Sequence, residues 1–299
     1  MDRLDAMRVL LAVVDEGSLS AGARRLRAPL ATVSRKVADL ERHLRAQLLV
    51  RTSRRVALTD AGQAYAASAR RILEQVETAE RETVGAHSTP RGELHVTAPT
   101  MFGRMHVLPV ACAFLDEQPD IDLRLFLSDR QVNLAEDHID VAVRIGQLVD
   151  GGLKATRVGS VRRIACASPA YLARRGTPAT PDDLAGHDGI SFQGFLAAPE
   201  WRYRGDGPAW SAEPRTRLAV NATEAAVAAA VAGLGVVRLL SYQIAEELRR
   251  GSLVAVLEDF APAPTPVSLV YPDAGLLPLK TRAFLDWTAP RLRARLQDI

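Results

Sequence analysis

Residues 1–44 read MDRLDAMRVLLAVVDEGSLSAGARRLRAPLATVSRKVADLERHL, and the spacing of their apolar positions decides how the chain begins. Leu4, Met7, Leu10, Leu11 and Val14 recur at helical intervals, and Asp15-Glu16-Gly17 closes that first helix. Ser20 is placed to cap a short second helix with Ala23 and Leu26 facing inward. Pro29 falls in the break that follows, because proline suits a turn or a first helical position and not a helix interior. A third helix is expected over 32–44, with Val33, Val37, Leu40 and Leu44 on one stripe. Its other face offers Thr32, Ser34, Arg35, Lys36 and Asp39. Three short helices with a tight turn before the third describe a helix-turn-helix.

Working outward, segments 47–50 and 54–58 can pair as a hairpin around 51–53, a basic wing carrying Arg51, Arg54 and Arg55. Thr59 then caps a long helix running to about 82. Within it Ala61, Tyr65, Ser68, Ile72, Gln75 and Ala79 alternate by fours and threes, a heptad seam of nearly three repeats. The seam has two readings: a modest coiled coil centred on Tyr65 and Ile72 that joins two copies, or a stripe packed on its own domain. Residues 85–92 are rich in helix breakers and read as a hinge.

Beyond the hinge the pattern changes to short apolar strands alternating with helices. Strands are expected at 93–97, 121–127, 139–144, 158–167, 190–193, 201–204, 217–221, 235–239 and 267–271. Helices are expected at 103–117, 132–137, 169–175, 223–232, 243–250 and 280–296. This alternation predicts an α/β domain with mostly parallel sheet and helices on both faces. A late strand and helix can return to complete the first lobe. The organisation read from these shifts is 1–58, then 59–90 as linker helix and hinge, then 91–299. The last splits into lobe I (about 91–160 and 267–299) and lobe II (about 161–266).

The net charge of +3 hides an asymmetry. Residues 1–58 hold 12 Lys/Arg against 6 Asp/Glu, whereas 91–299 hold 23 against 24. A basic module on a near-neutral domain implies a polyanionic partner, nucleic acid ahead of membrane. Only Cys112 and Cys166 occur, which argues against a disulfide framework and fits a reducing cytosol; two buried apolar residues or a redox pair remain the readings for them. The charged start MDRLDAMRVL lacks a signal-peptide core, and the apolar run 219–240 is broken by Asn221, Glu224, Gly233, Gly235 and Arg238, so a cytoplasmic protein without a membrane span is expected. The six histidines show no metal-ligand spacing, and no phosphate-binding loop or nucleophile elbow is present. No cofactor and no enzyme activity are therefore expected.

The stretches LDAMRVLLAVVDEGSLSAGARRL (4–26), TVSRKVADLERHL (32–44) and LLVRTSRRVALTDAG (48–62) closely resemble the N-terminus of LysR-type transcription regulators. TAPTMFGRMHVLP (97–109), SPAYLARRGTPATPDDLAGH (168–187) and GLGVVRLLSYQIAEELRRGSLVAVL (233–257) resemble their effector-binding domain. The resemblance covers the chain from end to end. It implies an N-terminal winged helix-turn-helix that reads double-stranded DNA, and a dimerising linker helix. It also implies a two-lobed effector domain with a periplasmic-binding-protein-like fold, and a homodimer or homotetramer built as a dimer of dimers. A solute-binding protein of the same lobed fold is the alternative, and the basic N-terminal module weighs against it. One departure stands out: many relatives carry a glutamine where this chain has Leu30, so a polar base contact is lost, although Leu30 or Ala31 can still touch a thymine methyl.

Candidate site residues follow. Thr32, Ser34, Arg35 and Lys36 lie near the start of the third helix, the end that a recognition helix presents to the major groove. Arg35 can bond guanine or phosphate. Lys36 and the wing residues Arg51, Arg54 and Arg55 suit phosphates, and Ser20 adds a minor phosphate contact to its capping role. In the effector domain, ligands of this fold bind at strand ends and helix starts. Thr100 offers a hydroxyl beside free N–H groups, an arrangement that favours an anion. Ser128 ends the second strand, Arg144 the third, and Asn221 and Thr223 precede a helix. Phe102 and Phe192 are candidate apolar walls. Arg144 can face a ligand carboxylate or, equally, Asp140. Capping and packing are the competing roles for all of these residues. A small anionic or aromatic metabolite is the expected effector.

Overall fold

The computed structural model describes residues 2–51, 56–84, 89–130, 132–134, 137–147, 152–192, 201–204, 210–273 and 277–297. They form two compact units: Met1–Thr89 with Leu276–Leu279, and Pro90–Gly275 with Lys280–Ile299.

The first unit begins with α1 (Arg3–Asp15), started by the Asp2 carboxylate, which accepts the N–H groups of Leu4 and Asp5. Then come α2 (Leu19–Arg25) and α3 (Leu30–Leu44). Ser18, not Ser20, caps α2: its Oγ accepts the Ala21 N–H at 3.1 Å, while Ser20 lies exposed inside the helix. The reason is the tight turn at Gly17, whose φ of +69° lets the chain reverse two residues earlier than a cap at Ser20 requires. Gly22 lets α2 approach α1 closely, since a Cβ there would lie 2.9 Å from the Val13 backbone. Val9, Leu10, Val13, Val33, Val37 and Leu40 close the core between the three helices. β1 (Leu49–Arg51) and β2 (Val56–Leu58) pair antiparallel, Leu49 opposite Leu58. Glu41 of α3 holds this hairpin by accepting the N–H groups of Leu48 (2.8 Å) and Leu49 (3.1 Å). The long α4 (Asp60–Val84) follows, capped by Thr59, whose Oγ1 accepts the Gly62 N–H at 2.9 Å.

α4 buries Ala66, Ala69 and Leu73 against Met7 and Leu11 of α1, and Tyr65 packs partly on that cluster. Ile72 is 38% exposed, and Ala61, Gln75 and Ala79 are exposed beside it. The stripe that α4 spends on its own unit is thus offset from the heptad seam, most of which stays open.

The second unit holds two five-stranded sheets. Its elements run β3 (Gly92–Ala98), α5 (Thr100–Phe102), a π-helical turn (Gly103–Val107), α6 (Leu108–Glu117), β4 (Ile121–Leu127), β5 (Val141–Ile145), β6 (Leu153–Val161) and β7 (Arg163–Ala167). Then follow α7 (Pro169–Arg175), β8 (Asp188–Phe192), β9 (Arg202–Tyr203), β10 (Trp210–Ser211), β11 (Arg215–Val220), α8 (Thr223–Val231) and β12 (Val236–Leu240). Last come α9 (Ser241–Arg250), β13 (Val254–Val256), β14 (Thr265–Pro272) and α10 (Leu279–Leu296). One sheet has the order β4-β3-β5-β14-β6, and the other β11-β8-β12-β7-β13.

In each sheet four of the five strands run in one direction, as the mostly parallel expectation has it, and one strand runs against them. β3 is parallel to β4 and β5, but β14 runs antiparallel to β5 and β6. β8 is parallel to β11 and β12, but β7 runs antiparallel to β12 and β13. The reversed strands, β7 and β14, are the first that the chain forms after each passage from one sheet to the other, β7 following β6 through Arg162 alone. The helix expected at 132–137 is absent from the described residues there. The Asp137 carboxylate instead accepts the Asn133 N–H at 3.0 Å and closes a turn.

Candidate functional site

The exposed face of α3 is set by the burial of Val33, Val37 and Leu40, which turns Arg35 into solvent and leaves Thr32 and Ser34 half-exposed. Among the described residues Arg35 has no ion pair. Lys36 is different: its Nζ lies 2.5 Å from Asp5 Oδ2 and ties α3 to α1. Leu30, at the helix start, is 48% exposed, an apolar tip where the helix meets solvent. Arg51 ends β1, with its side chain outside the described residues, and Arg54 and Arg55 lie outside them altogether. Among the described residues the face therefore presents one guanidinium without an ion pair, two hydroxyls and an apolar tip.

In the second unit the helix starts at Thr100 itself, three residues before the expected start at 103, and the place of an anion is taken. Asp129 Oδ1 accepts the Thr100 N–H at 3.0 Å. Ser128 is spent locally, its Oγ accepting the Arg130 N–H at 3.2 Å. Phe102 is fully buried rather than lining an open wall. Its ring meets Tyr242 edge-on at 5.3 Å and His106 at 4.8 Å. Because Phe102 and His106 belong to lobe I and Tyr242 to lobe II, this aromatic trio joins the lobes. Arg104 and Glu224 form a second bridge at 3.3 Å. Gln243 extends the joint within lobe II, donating to Tyr242 Oη (3.3 Å) and Thr223 Oγ1 (3.5 Å).

Burial governs the electrostatics of this joint. Desolvation, helped by Arg295, pulls the His106 imidazole down to about 4, so the ring is neutral at pH 7, and neither ring nitrogen has a hydrogen-bond partner among the described residues. Desolvation also raises the Tyr242 phenol, and the Asp129 carboxylate adds to it. Asn221 is exposed just before α8, and Thr223 is buried in its first turn. Phe192 packs on the lobe II core. Arg144 does not pair with Asp140, which binds the His95 N–H and lies 3.6 Å from Lys280. Its guanidinium donates instead to the Val132 carbonyl at 2.8 Å, and burial lowers its pKa. The structure thus gathers Thr100, Phe102 and Thr223 around one joint, while Ser128, Arg144 and Phe192 make their contacts elsewhere.

Sequence reading passed over Asp129, His106 and Tyr242. An aspartate two residues past the strand end at Leu127 is a usable signal for the first; the other two become partners only through tertiary packing. Among the described residues no group of His, Cys, Asp or Glu could hold a metal ion, and no helix is long and apolar enough to cross a membrane.

Residues 4–63 match the model for the bacterial regulatory helix-turn-helix protein, lysR family, and residues 87–293 match the LysR substrate binding domain. The chain belongs to the LysR family of transcription regulators. It is a DNA-binding regulator with an effector-binding domain. An uncharacterized HTH-type transcriptional regulator of Escherichia coli, YhjC, is 32% identical over 292 residues, 97% of either chain. The solved structure of CrgA, a LysR-type transcriptional regulator from Neisseria meningitidis, is 32% identical, with TM-score 0.60 over 96% of this chain and 98% of that one. The full-length virulence activator AphB of Vibrio cholerae is 28% identical, with TM-score 0.60 over 95% of this chain and 98% of its own.

Proposed function

We propose that this LysR-family regulator reads double-stranded DNA through the exposed face of α3, with Arg35 on a base edge or phosphate, Thr32 and Ser34 beside it, and Leu30 or Ala31 against thymine methyls. The observation that carries this reading is an exposed guanidinium, without an ion pair among the described residues, on the third helix of a module with 12 Lys/Arg against 6 Asp/Glu. The wing arginines Arg51, Arg54 and Arg55 contact phosphates, positioning the protein without specifying sequence. In this reading 1–58 binds DNA, 59–90 links, and 91–299 senses. The open seam of α4 joins two copies through Tyr65 and Ile72, in a cytoplasmic homodimer or homotetramer that binds rather than catalyses. A small anionic or aromatic effector held between the lobes shifts their arrangement and, through the oligomer, operator binding. The aromatic trio and the Arg104–Glu224 bridge are the contacts such a shift must remake.

Sequencing the DNA fragments bound by the purified protein, followed by titration of one such fragment and a random duplex at several salt concentrations, tests the reading. A preference for the selected fragment that persists as salt rises supports sequence reading by α3. Equal affinity for both would reduce the first unit to a non-specific basic surface.

A further inference from the structure

We propose that lobe II carries an anion-binding pocket, built from Arg163, Arg238 and Tyr203, which takes a small organic carboxylate with an apolar body. The proposal rests on the reading of the second unit as an effector-binding domain and places the ligand's charge away from Thr100.

Arg163 opens β7 and Arg238 lies in the middle of β12. In the antiparallel ladder Arg238 opposes Ala165 and Arg163 opposes Leu240, so both side chains leave one sheet face from diagonal positions. Like charges so placed repel. Desolvation lowers both guanidiniums, and with Arg163 contributing it brings Arg238 down to about 10. Arg238 is well anchored: it donates to the Arg202 carbonyl at 3.1 Å and lies over the rings of Trp201 (5.2 Å) and Tyr203 (5.6 Å). Arg163 is half-buried, and among the described residues no ion pair reaches it. Tyr203 is only 3% exposed, and burial raises its phenol to about 12 although the Arg238 guanidinium beside the hydroxyl works the other way.

These groups line one pocket, whose apolar side is made by Ile164, Val256 and Leu257; Glu258 also lines it, but is exposed to solvent that screens its charge. Arg163, desolvated and without an ion pair among the described residues, costs free energy that an incoming carboxylate recovers. Its two oxygens can accept from the guanidiniums and from Tyr203 Oη, while the ligand body covers the apolar side. The start of α5 lacks these properties, because Asp129 already occupies its N–H and would repel an anion.

The pocket also sits where occupancy matters. Arg162, the single residue between β6 and β7, and Pro262, which precedes β14, both line it. These are the two places where the chain passes between lobes, so a bound ligand touches both passages and can favour one lobe arrangement over another.

Calorimetric titration of the full chain with cyclohexanecarboxylate, its neutral amide and acetate tests the proposal. The carboxylate should bind saturably, and the amide at least tenfold more weakly. Arg163→Gln should raise the carboxylate Kd tenfold or more, and Arg163→Lys less. Tyr203→Phe, which preserves the packing, should raise it severalfold. Absence of saturable binding to the parent, equal binding of acid and amide, or a parental Kd in Arg163→Gln and Tyr203→Phe would each overturn it. Operator titrations separate this from the underlying reading. If the carboxylate binds through Arg163 yet leaves operator affinity unchanged, the pocket stands and the effector reading falls. If other metabolites shift operator affinity equally in parent and Arg163→Gln, the effector reading stands and the pocket falls.

Discussion

On α3 the Arg35 guanidinium stands in solvent with no ion pair among the described residues, whereas on β7 Arg163 has been drawn half out of water with none either. The two arginines carry the same charge, but they suit different partners. An exposed charge acts over roughly a Debye length, about 8–10 Å at ordinary salt, and suits a large polyanion that approaches from outside. A desolvated charge is screened far less and is accessible only to a ligand small enough to enter. The first unit should therefore lose DNA affinity steeply as salt rises, while affinity for small molecules in the second unit should change little. Measuring both slopes on one preparation breaks the comparison if they turn out parallel.

The largest effect expected is at α4, where the comparison asks whether the basic unit works singly or doubled. Ala66, Ala69 and Leu73 are already satisfied by α1, but Ile72 remains 38% exposed beside an open seam. Ile72→Lys would place an unpaired ammonium at the centre of any helix-to-helix contact, a cost of several kcal/mol. Light scattering should show a drop in assembly order while circular dichroism stays parental. An unchanged mass would assign the seam to solvent and move the oligomeric contact elsewhere.

Next comes the buried histidine of the second unit. The folded-state value of His106, about 4, lies below its ordinary value of 6.5. Between those values the unfolded chain binds the proton first, so stability is fully present above pH 6.5 and is lost as pH falls toward 4. The difference amounts to about 3 kcal/mol. His106→Phe keeps a ring against Phe102 and Tyr242 and removes the titration. Denaturant midpoints measured from pH 7 to 4 should fall less for the variant than for the parent. Identical acid limbs would show that the imidazole is hydrated and not desolvated.

How far such features could be read in the sequence depends on how local they are. The helix Pro169–Arg175 is legible because its signals are contiguous: Ser168 caps it, proline opens it, Arg174 and Arg175 end it, and Gly176 turns away at φ +83°. The strand Ile121–Leu127 and the outward face of α3 are legible from periodicity in the same way. Strand direction is not, because β14 joins β5 and β6 from more than 100 residues away and no local pattern records the orientation. The cap of α2 was misassigned by two residues, since Ser18 and Ser20 are chemically equal and only the turn at Gly17 distinguishes them. In the effector domain, the strand-end rule drew attention to Thr100 and Ser128 but could not show that Asp129 fills the helix start. Arg163 and Arg238 stayed invisible for a similar reason: they become neighbours only through the register of β7 on β12.

A smaller effect is expected at the reading face. Arg35→Ala should cost roughly 1–3 kcal/mol at a selected operator if the guanidinium holds a guanine, and much less on random duplex. Equal losses on both would make Arg35 a phosphate contact, and no loss on either would move the reading surface off this face of α3.

The smallest effect concerns Lys36, and it decides between two uses of one ammonium. The residue stands one position from Arg35, where a phosphate contact is natural, yet its Nζ lies 2.5 Å from Asp5 Oδ2. The two side chains are 35% and 40% exposed, so the pair is largely screened and worth less than about 1 kcal/mol to the fold. If Asp5 keeps the ammonium when DNA arrives, Lys36→Gln should lower stability slightly and leave both operator affinity and its salt slope at parental values. If DNA takes the ammonium, the slope of log affinity against log salt should fall by about one phosphate's share. Asp5→Asn should then strengthen binding, because a competing carboxylate has been removed. The second variant is informative because Asp5 lies on α1, where the removal of a charge leaves the α3 face itself untouched. A parental slope in Lys36→Gln together with parental affinity in Asp5→Asn would fix the pair as a strut between the first and third helices. It would leave Arg35 as the cation that the exposed face of α3 offers to DNA.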